Sequence, residues 1–254
     1  MIVPILLSST GVRVTEYLAA ASSGRPAIVR QEASPSAASA GALHRLSYYS
    51  KQLNETRRLV VYTPPGYSQS GQVKFPVLYL LHGVRGSETT WISAGRVNRI
   101  LDRLISQQRA APMIVVLPNG DLSPEQARRR LFNVDLEQQI IPLVESSYRV
   151  IPDADHRAIA GFSMGAIQAL IAVIRKPGMF GYLGCFSMSG RPAALDVLFA
   201  DLPGDPAQLN GTLRLYAVSC GRQDGFLPFN TAYDQWLTSH GVRHTLTLLP
   251  GGHS

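Results

Sequence analysis

Ser163 stands at the centre of Gly161-Phe162-Ser163-Met164-Gly165, a spacing suited to covalent catalysis by a serine hydroxyl. The run His156-Arg157-Ala158-Ile159-Ala160 before it reads as a strand. Residues 164–175 after it read as a helix that stops at Lys176-Pro177-Gly178. A strand that turns sharply into a helix leaves the Oγ exposed at the top of a sheet. Glycines two residues to either side are needed because a side chain there would strike the turn or the neighbouring strand. The five-residue pattern recurs by chance in chains rich in Gly and Ser, so its weight comes from this strand–turn–helix context. The chemistry it points to is acyl transfer through a serine ester.

A serine hydroxyl is a weak nucleophile at neutral pH. It needs a histidine base, and the base needs a carboxylate to fix its tautomer. In doubly wound hydrolases these follow the serine in the order acid, then histidine, on loops at the carboxyl ends of strands. Asp224 lies in Cys220-Gly221-Arg222-Gln223-Asp224-Gly225, after an apolar strand. The competing acids Asp196, Asp201 and Asp205 sit in a polar, Pro-containing connection, and Asp234 lies inside a helix. His253 follows the last strand through Pro250-Gly251-Gly252. Its rivals are His240, at a helix end, and His244, at a strand start. Position favours Ser163, Asp224 and His253 as nucleophile, acid and base. The oxyanion hole then combines the Met164 N–H with one from the loop His82-Gly83-Val84-Arg85-Gly86-Ser87, where Val84 is the nominee. His82 precedes the serine, the wrong order for the base, and reads as a structural histidine that orders the loop.

These residues require a particular scaffold. Leu43–Ser50 and Arg57–Tyr62 read as two strands in a hairpin-like start. Strands over Val77–Leu81, Met113–Leu117, Arg157–Ala160, Tyr182–Phe186, Leu213–Ser219 and Thr245–Leu249 alternate with helices. The helices include Val97–Ser106, Val134–Ser147, which Pro142 should bend, and a stretch through Phe229, Tyr233, Trp236 and Leu237 that stops at Gly241. Strands apolar on both faces, alternating with helices, predict an α/β fold with a mostly parallel central sheet covered on both sides and antiparallel strands at its N-terminal edge. Residues 1–42, rich in Ala, Ser and Pro, read as a flexible or weakly ordered segment preceding a catalytic domain over 43–254.

The chain of 254 residues is long enough for one large core. Its net charge of +7 is carried almost wholly by arginine, with lysine only at 51, 74 and 176. The basic residues are scattered. The densest run, Arg128-Arg129-Arg130, reads as a solvated face with no interleaved aromatics, so nucleic acid is not an expected partner. No apolar run is long enough to span a bilayer, and no membrane partner is expected. Ile2-Val3-Pro4-Ile5-Leu6-Leu7 is short, carries a proline and lacks a basic flank, a poor signal peptide as written. Cys185 and Cys220 fall in apolar strands and read as free buried thiols. Paired-cysteine, HExxH and phosphate-loop patterns are missing, so no metal or nucleotide cofactor is expected.

With these residues in place the chain resembles the esterase D-like branch of the α/β hydrolases, and most of all the bacterial feruloyl esterases of carbohydrate esterase family 1. The resemblance runs from about Ser47 to the end. It is carried by Val61-Tyr62-Thr63-Pro64-Pro65-Gly66-Tyr67, by Tyr79-Leu80-Leu81-His82-Gly83 with Ser87-Glu88 and Trp91, and by Pro118-Asn119. It continues through Ile141-Pro142-Leu143-Val144-Glu145, Asp155 to Gly165, Gly221 to Asp224, and Gly251-Gly252-His253. It implies an α/β-hydrolase fold, no cofactor, and the same three residues as nucleophile, acid and base. Relatives cleave ferulate or acetate esters on plant cell-wall polysaccharides, others hydrolyse siderophore esters or glutathione thioesters, and others transfer mycolyl groups. A secreted or periplasmic location is favoured by the same resemblance.

Three positions depart from the family pattern. Arg85 stands where the family usually has glycine, Ala166 replaces a common glycine, and the sequence stops at Ser254 without the relatives' final helix. The expected activity is a serine carboxylesterase acting on feruloyl or acetyl esters, with a small-molecule or polysaccharide-linked ester as substrate. The alternatives are a polyester hydrolase or acyltransferase on the same fold, and a non-catalytic hydrolase-fold protein. Arg85, Trp91 and Phe226 are candidates to line the pocket, with core packing the alternative for the two aromatics.

Overall fold

The computed structural model describes residues 40–128, 130–200 and 205–253. The flexible segment expected up to residue 42 therefore lies, through Ser39, outside the described residues, as do Arg129 and Asp201. Eight strands form one sheet: β1 (Ala42–Ser50), β2 (Glu55–Thr63), β3 (Val77–Leu81), β4 (Ile114–Pro118), β5 (Arg157–Phe162), β6 (Tyr182–Phe186), β7 (Leu215–Gly221) and β8 (Thr245–Leu249). Their order is β1-β2-β4-β3-β5-β6-β7-β8. From β4 to β8 every pairing is parallel. β2 runs antiparallel to both β4 and β1, as the hairpin-like start predicts. The chain thus has the α/β-hydrolase architecture expected from sequence.

The helices that matter to the site are α1 (Val97–Ser106), α2 (131–147), α3 (Met164–Arg175), α4 (Leu195–Phe199) and α5 (Leu227–Ser239). Alternate strand residues feed two separate cores, as the two-residue period of a strand requires. Val61, Tyr79, Leu81 and Ile159 pack with α2, α3 and α5 on one face. Val60, Tyr62, Leu78 and Leu80 pack with Val97, Leu101 and Leu104 of α1 on the other. β3 and β4 are buried along their whole length because both faces are covered.

One helix differs from expectation. α2 begins at Leu131, three residues before the expected Val134, and a π-helical turn over Leu136–Ile140 precedes Pro142. Proline has no N–H to give the carbonyl one turn back, and its ring would strike that carbonyl. The wider turn, closed by the Ile141 N–H on the Leu136 carbonyl, relieves this conflict by local unwinding. Among the described residues no helix is long and apolar enough to cross a membrane.

Candidate active site

β5 ends at Phe162 and α3 begins at Met164, so Ser163 alone makes the turn. It does so at φ 56°, ψ −117°, a strained conformation for a non-glycine residue. Its N–H donates to the Phe186 carbonyl of β6 at 2.9 Å, which ties the turn to the neighbouring strand. The flanking glycines are required by contact distance. A β-carbon on Gly161 would lie 2.2 Å from the Gly165 carbonyl carbon, and one on Gly165 would lie 2.6 Å from the His82 carbonyl oxygen. Only bare backbone lets α3 start this close to the ends of β3 and β5.

His253 lies on the short loop after β8, and its Nε2 is 3.0 Å from Ser163 Oγ. On the opposite side of the ring, Nδ1 is 2.9 Å from Asp224 Oδ2. The chemistry of the partners sets the tautomer. An ionised carboxylate only accepts, so Nδ1 carries the hydrogen, and Nε2 of the neutral ring is left to accept from the serine hydroxyl. The imidazole is held between two phenyl rings, Phe162 at 4.7 Å and Phe226 at 5.0 Å between centroids.

The Asp224 side chain is fully buried. Burial pushes its carboxyl upward, but the Phe226 N–H (2.8 Å), His253 and the Ser187 hydroxyl all hydrogen-bond the charged form. Together they hold it below the ordinary carboxylate value. The Cys220 thiol also bonds to Ser187 and Asp224; burial, the largest effect on it, contributes to raising it to about 11, so it stays a neutral donor at physiological pH. The loops that carry Asp224 and His253 are sewn together. Arg222 N–H donates to Leu249 O (2.7 Å), Gln223 N–H to Gly251 O (3.0 Å), and Gly251 N–H to Gln223 Oε1 (2.6 Å).

The loop after β3 closes the other side. Gly86 N–H donates to Gly83 O at 3.0 Å, making Val84 and Arg85 the centre of a tight turn with Arg85 at φ 61°. A β-carbon on Gly83 would sit 3.3 Å from Ser163 Cβ, so this turn lies directly against Ser163. Met164 is the first residue of α3, where N–H groups have no intrahelical acceptor and the helix dipole favours negative charge. His82 is buried, with Nδ1 2.7 Å from Gly83 O and Nε2 accepting from Gly120 N–H at 2.9 Å. Burial holds it below the ordinary imidazole value and therefore neutral. It bridges the loops after β3 and β4.

The structure brings Ser163, Asp224 and His253 into one hydrogen-bonded chain, with the Val84 turn and Met164 beside the serine. The pocket nominees separate. Arg85 is exposed on the turn, Phe226 lies against the imidazole, and Trp91 packs into the core around α1. The rival histidines are engaged elsewhere: His240 stacks on Trp236, and His244 Nε2 is 3.0 Å from Asp234 Oδ1. Sequence reasoning passed over Ser187, which follows β6 one strand from Asp224. Strand order would have flagged it as a neighbour of Asp224.

Residues 50–239 match the protein-family model described as "Putative esterase". The chain is 32% identical over 213 residues to an endo-1,4-beta-xylanase/feruloyl esterase of Xylanibacter ruminicola, covering 76% of this chain and 29% of that protein. It spans less than two thirds of the length of the first curated relatives it matches. A solved ferulic acid esterase superposes with a TM-score of 0.72 at 27% identity, over 85% of this chain and 92% of that one. A CE1 ferulic acid esterase from the anaerobic fungus Anaeromyces mucronatus gives a TM-score of 0.72 at 25% identity, over 89% and 88% of the two chains.

Proposed function

The chain belongs to the esterase family, and from that premise we propose that it is a serine carboxylesterase working through Ser163, His253 and Asp224. Ser163 Oγ attacks the ester carbonyl while His253 Nε2 takes its proton. Asp224 keeps the ring oriented and stabilises the imidazolium that forms. The carbonyl oxygen, now negative, faces the amides of Met164 and Val84. His253 then returns its proton to the departing alcohol, leaving an acyl-Ser163 ester. Water, deprotonated by the same histidine, cleaves that ester and restores the serine.

The observation that carries this reading is the continuous hydrogen-bond chain, 3.0 Å from Ser163 to His253 and 2.9 Å from His253 to Asp224. For the substrate we infer feruloyl or acetyl esters of plant cell-wall polysaccharides; the names of the relatives support the feruloyl ester. The test is hydrolysis of methyl ferulate and p-nitrophenyl acetate by the wild type and by Ser163→Ala. The wild type turns over at least one, and the variant falls by about a million-fold. Comparable activity in the purified variant would sink the mechanism.

A further inference from the structure

The loops at the carboxyl ends of β3, β6 and β7 frame Ser163, and they carry Arg85, Arg96, Arg191 and Arg222. All four are exposed, and among the described residues no carboxylate or carbonyl engages their guanidinium groups. Two of the three acids on the described parts of these loops are engaged inside the protein. Glu88 is buried, accepts from Asn119 Nδ2 at 3.1 Å and pairs with Arg58 Nε at 3.4 Å. Asp224 is buried against His253. The third, Asp196 at the start of α4, is exposed and accepts from Trp236 Nε1 at 2.9 Å, so it keeps its charge five residues after Arg191. Two further exposed acids, Asp121 and Glu125, lie after β4, on the side of β3 away from β5, β6 and β7. Four exposed arginines against one exposed acid over residues 82–96, 187–200 and 222–226 leave the field on the β3–β7 side of Ser163 positive.

We propose that this arginine rim selects esters of a uronate-bearing polysaccharide, whose carboxylates lie along the arginines while the ester carbonyl sits at Ser163. The proposal rests on the esterase reading above and names the alcohol side of its substrate. From β3 to β7 is three strand spacings, about 14 Å at the usual separation. One monosaccharide ester does not bridge that distance, whereas consecutive sugars of a chain do. All four cations are arginines, whose planar fork matches a carboxylate with two parallel hydrogen bonds. Nucleic acid fits less well because bases need aromatic platforms. The two aromatics of these loops are already committed, Trp91 to the core and Phe226 to His253. Arg85 occupies a positive-φ position at the turn beside the nucleophile, where glycine would sit without strain. A side chain kept at such a position is consistent with use by substrate.

The test compares kcat/KM for a feruloylated oligogalacturonide, a feruloylated arabinoxylo-oligosaccharide without uronate, and methyl ferulate. The acidic oligosaccharide is expected to be preferred. Its advantage over the neutral one falls about tenfold in 300 mM NaCl, and about tenfold in the quadruple variant Arg85→Gln, Arg96→Gln, Arg191→Gln, Arg222→Gln. Equal kcat/KM for the two oligosaccharides, or an unchanged ratio in the variant, overturns the proposal. The double variant Arg191→Gln, Arg222→Gln serves where the quadruple one does not fold, with about a threefold fall in the same ratio expected. A second arm measures retention of Ser163→Ala in gels containing polygalacturonate. Retention that the arginine substitutions abolish supports the rim, and equal retention by random-sequence DNA overturns it. If the wild type hydrolyses no ester at all, the esterase reading fails, while the gel arm still decides the arginines.

Discussion

The Phe162 ring lies 4.7 Å from the His253 imidazole between centroids, so the residue before Ser163, the proposed nucleophile, also supports the proposed base. Phe226 packs on the same imidazole at 5.0 Å. Phe162→Ala is expected to lower kcat on methyl ferulate by about ten- to a hundredfold, because small misplacements of a proton acceptor are expensive. KM should stay within about twofold. A change confined to KM would mean that the ring serves substrate and not the histidine.

Asp224→Asn leaves the shape of the site but loses the charge that fixes the tautomer and stabilises the imidazolium. A fall in kcat of about four orders of magnitude is expected. Ser187→Ala removes one of the hydrogen bonds that hold the carboxylate ionised. A smaller loss, about fivefold, is expected there. Full activity in both variants would remove Asp224 from the mechanism.

The elbow glycines make a stability prediction. With a β-carbon on Gly161 at 2.2 Å from backbone atoms of Gly165, no rotamer change relieves the clash. Gly161→Ala should therefore destabilise the fold by about 3 kcal/mol, read as a lowered urea midpoint. Gly211, with open space around it, provides a control whose alanine variant shifts the midpoint little.

Arg85 makes the opposite prediction. Its φ of 61° favours glycine, so Arg85→Gly is expected to raise stability by about 1 kcal/mol. The same variant should lose part of the preference for acidic oligosaccharides. A stability gain without that loss would separate the strain from any role in binding.

Burial holds His82 below its ordinary value of 6.5. On acidification the unfolded chain takes up this proton first. The stability His82 contributes is thus complete above about pH 6.5 and is lost as pH falls through its lowered folded value. Once charged, Nε2 would carry a hydrogen facing the Gly120 N–H it now accepts from. His82→Asn is expected to be less stable than wild type at pH 7.5, with the gap narrowing by pH 5. A gap independent of pH would mean that the ring is not neutral in the fold.

Much of the scaffold was legible because its strands are buried on both faces. Val77–Leu81 and Val97–Ser106 have the bounds their apolar patterns suggest. Asp224 and His253 stood out because strand order restricts where an acid and a base can follow the nucleophile. What stayed hidden was set by contacts between distant segments. The π-turn before Pro142 is one answer among several to a missing hydrogen bond. Phe226 and Ser187 gain their roles only when β6, β7 and β8 come side by side. Trp91 carries no sign in sequence of whether its ring faces substrate or core.

The loop of His253 hangs from β8, which among the described residues pairs on one side only and is exposed or half-exposed along its length. Its other anchorage is the hydrogen-bonded seam to the loop of Asp224. Amide exchange should therefore be fastest here among the parallel strands, since edge segments open without global unfolding. Each such opening withdraws His253, the proposed proton acceptor, while Ser163 stays in place. Thermal inactivation is then expected at a lower temperature than the cooperative melt, and to reverse fully on cooling so long as only this edge has opened.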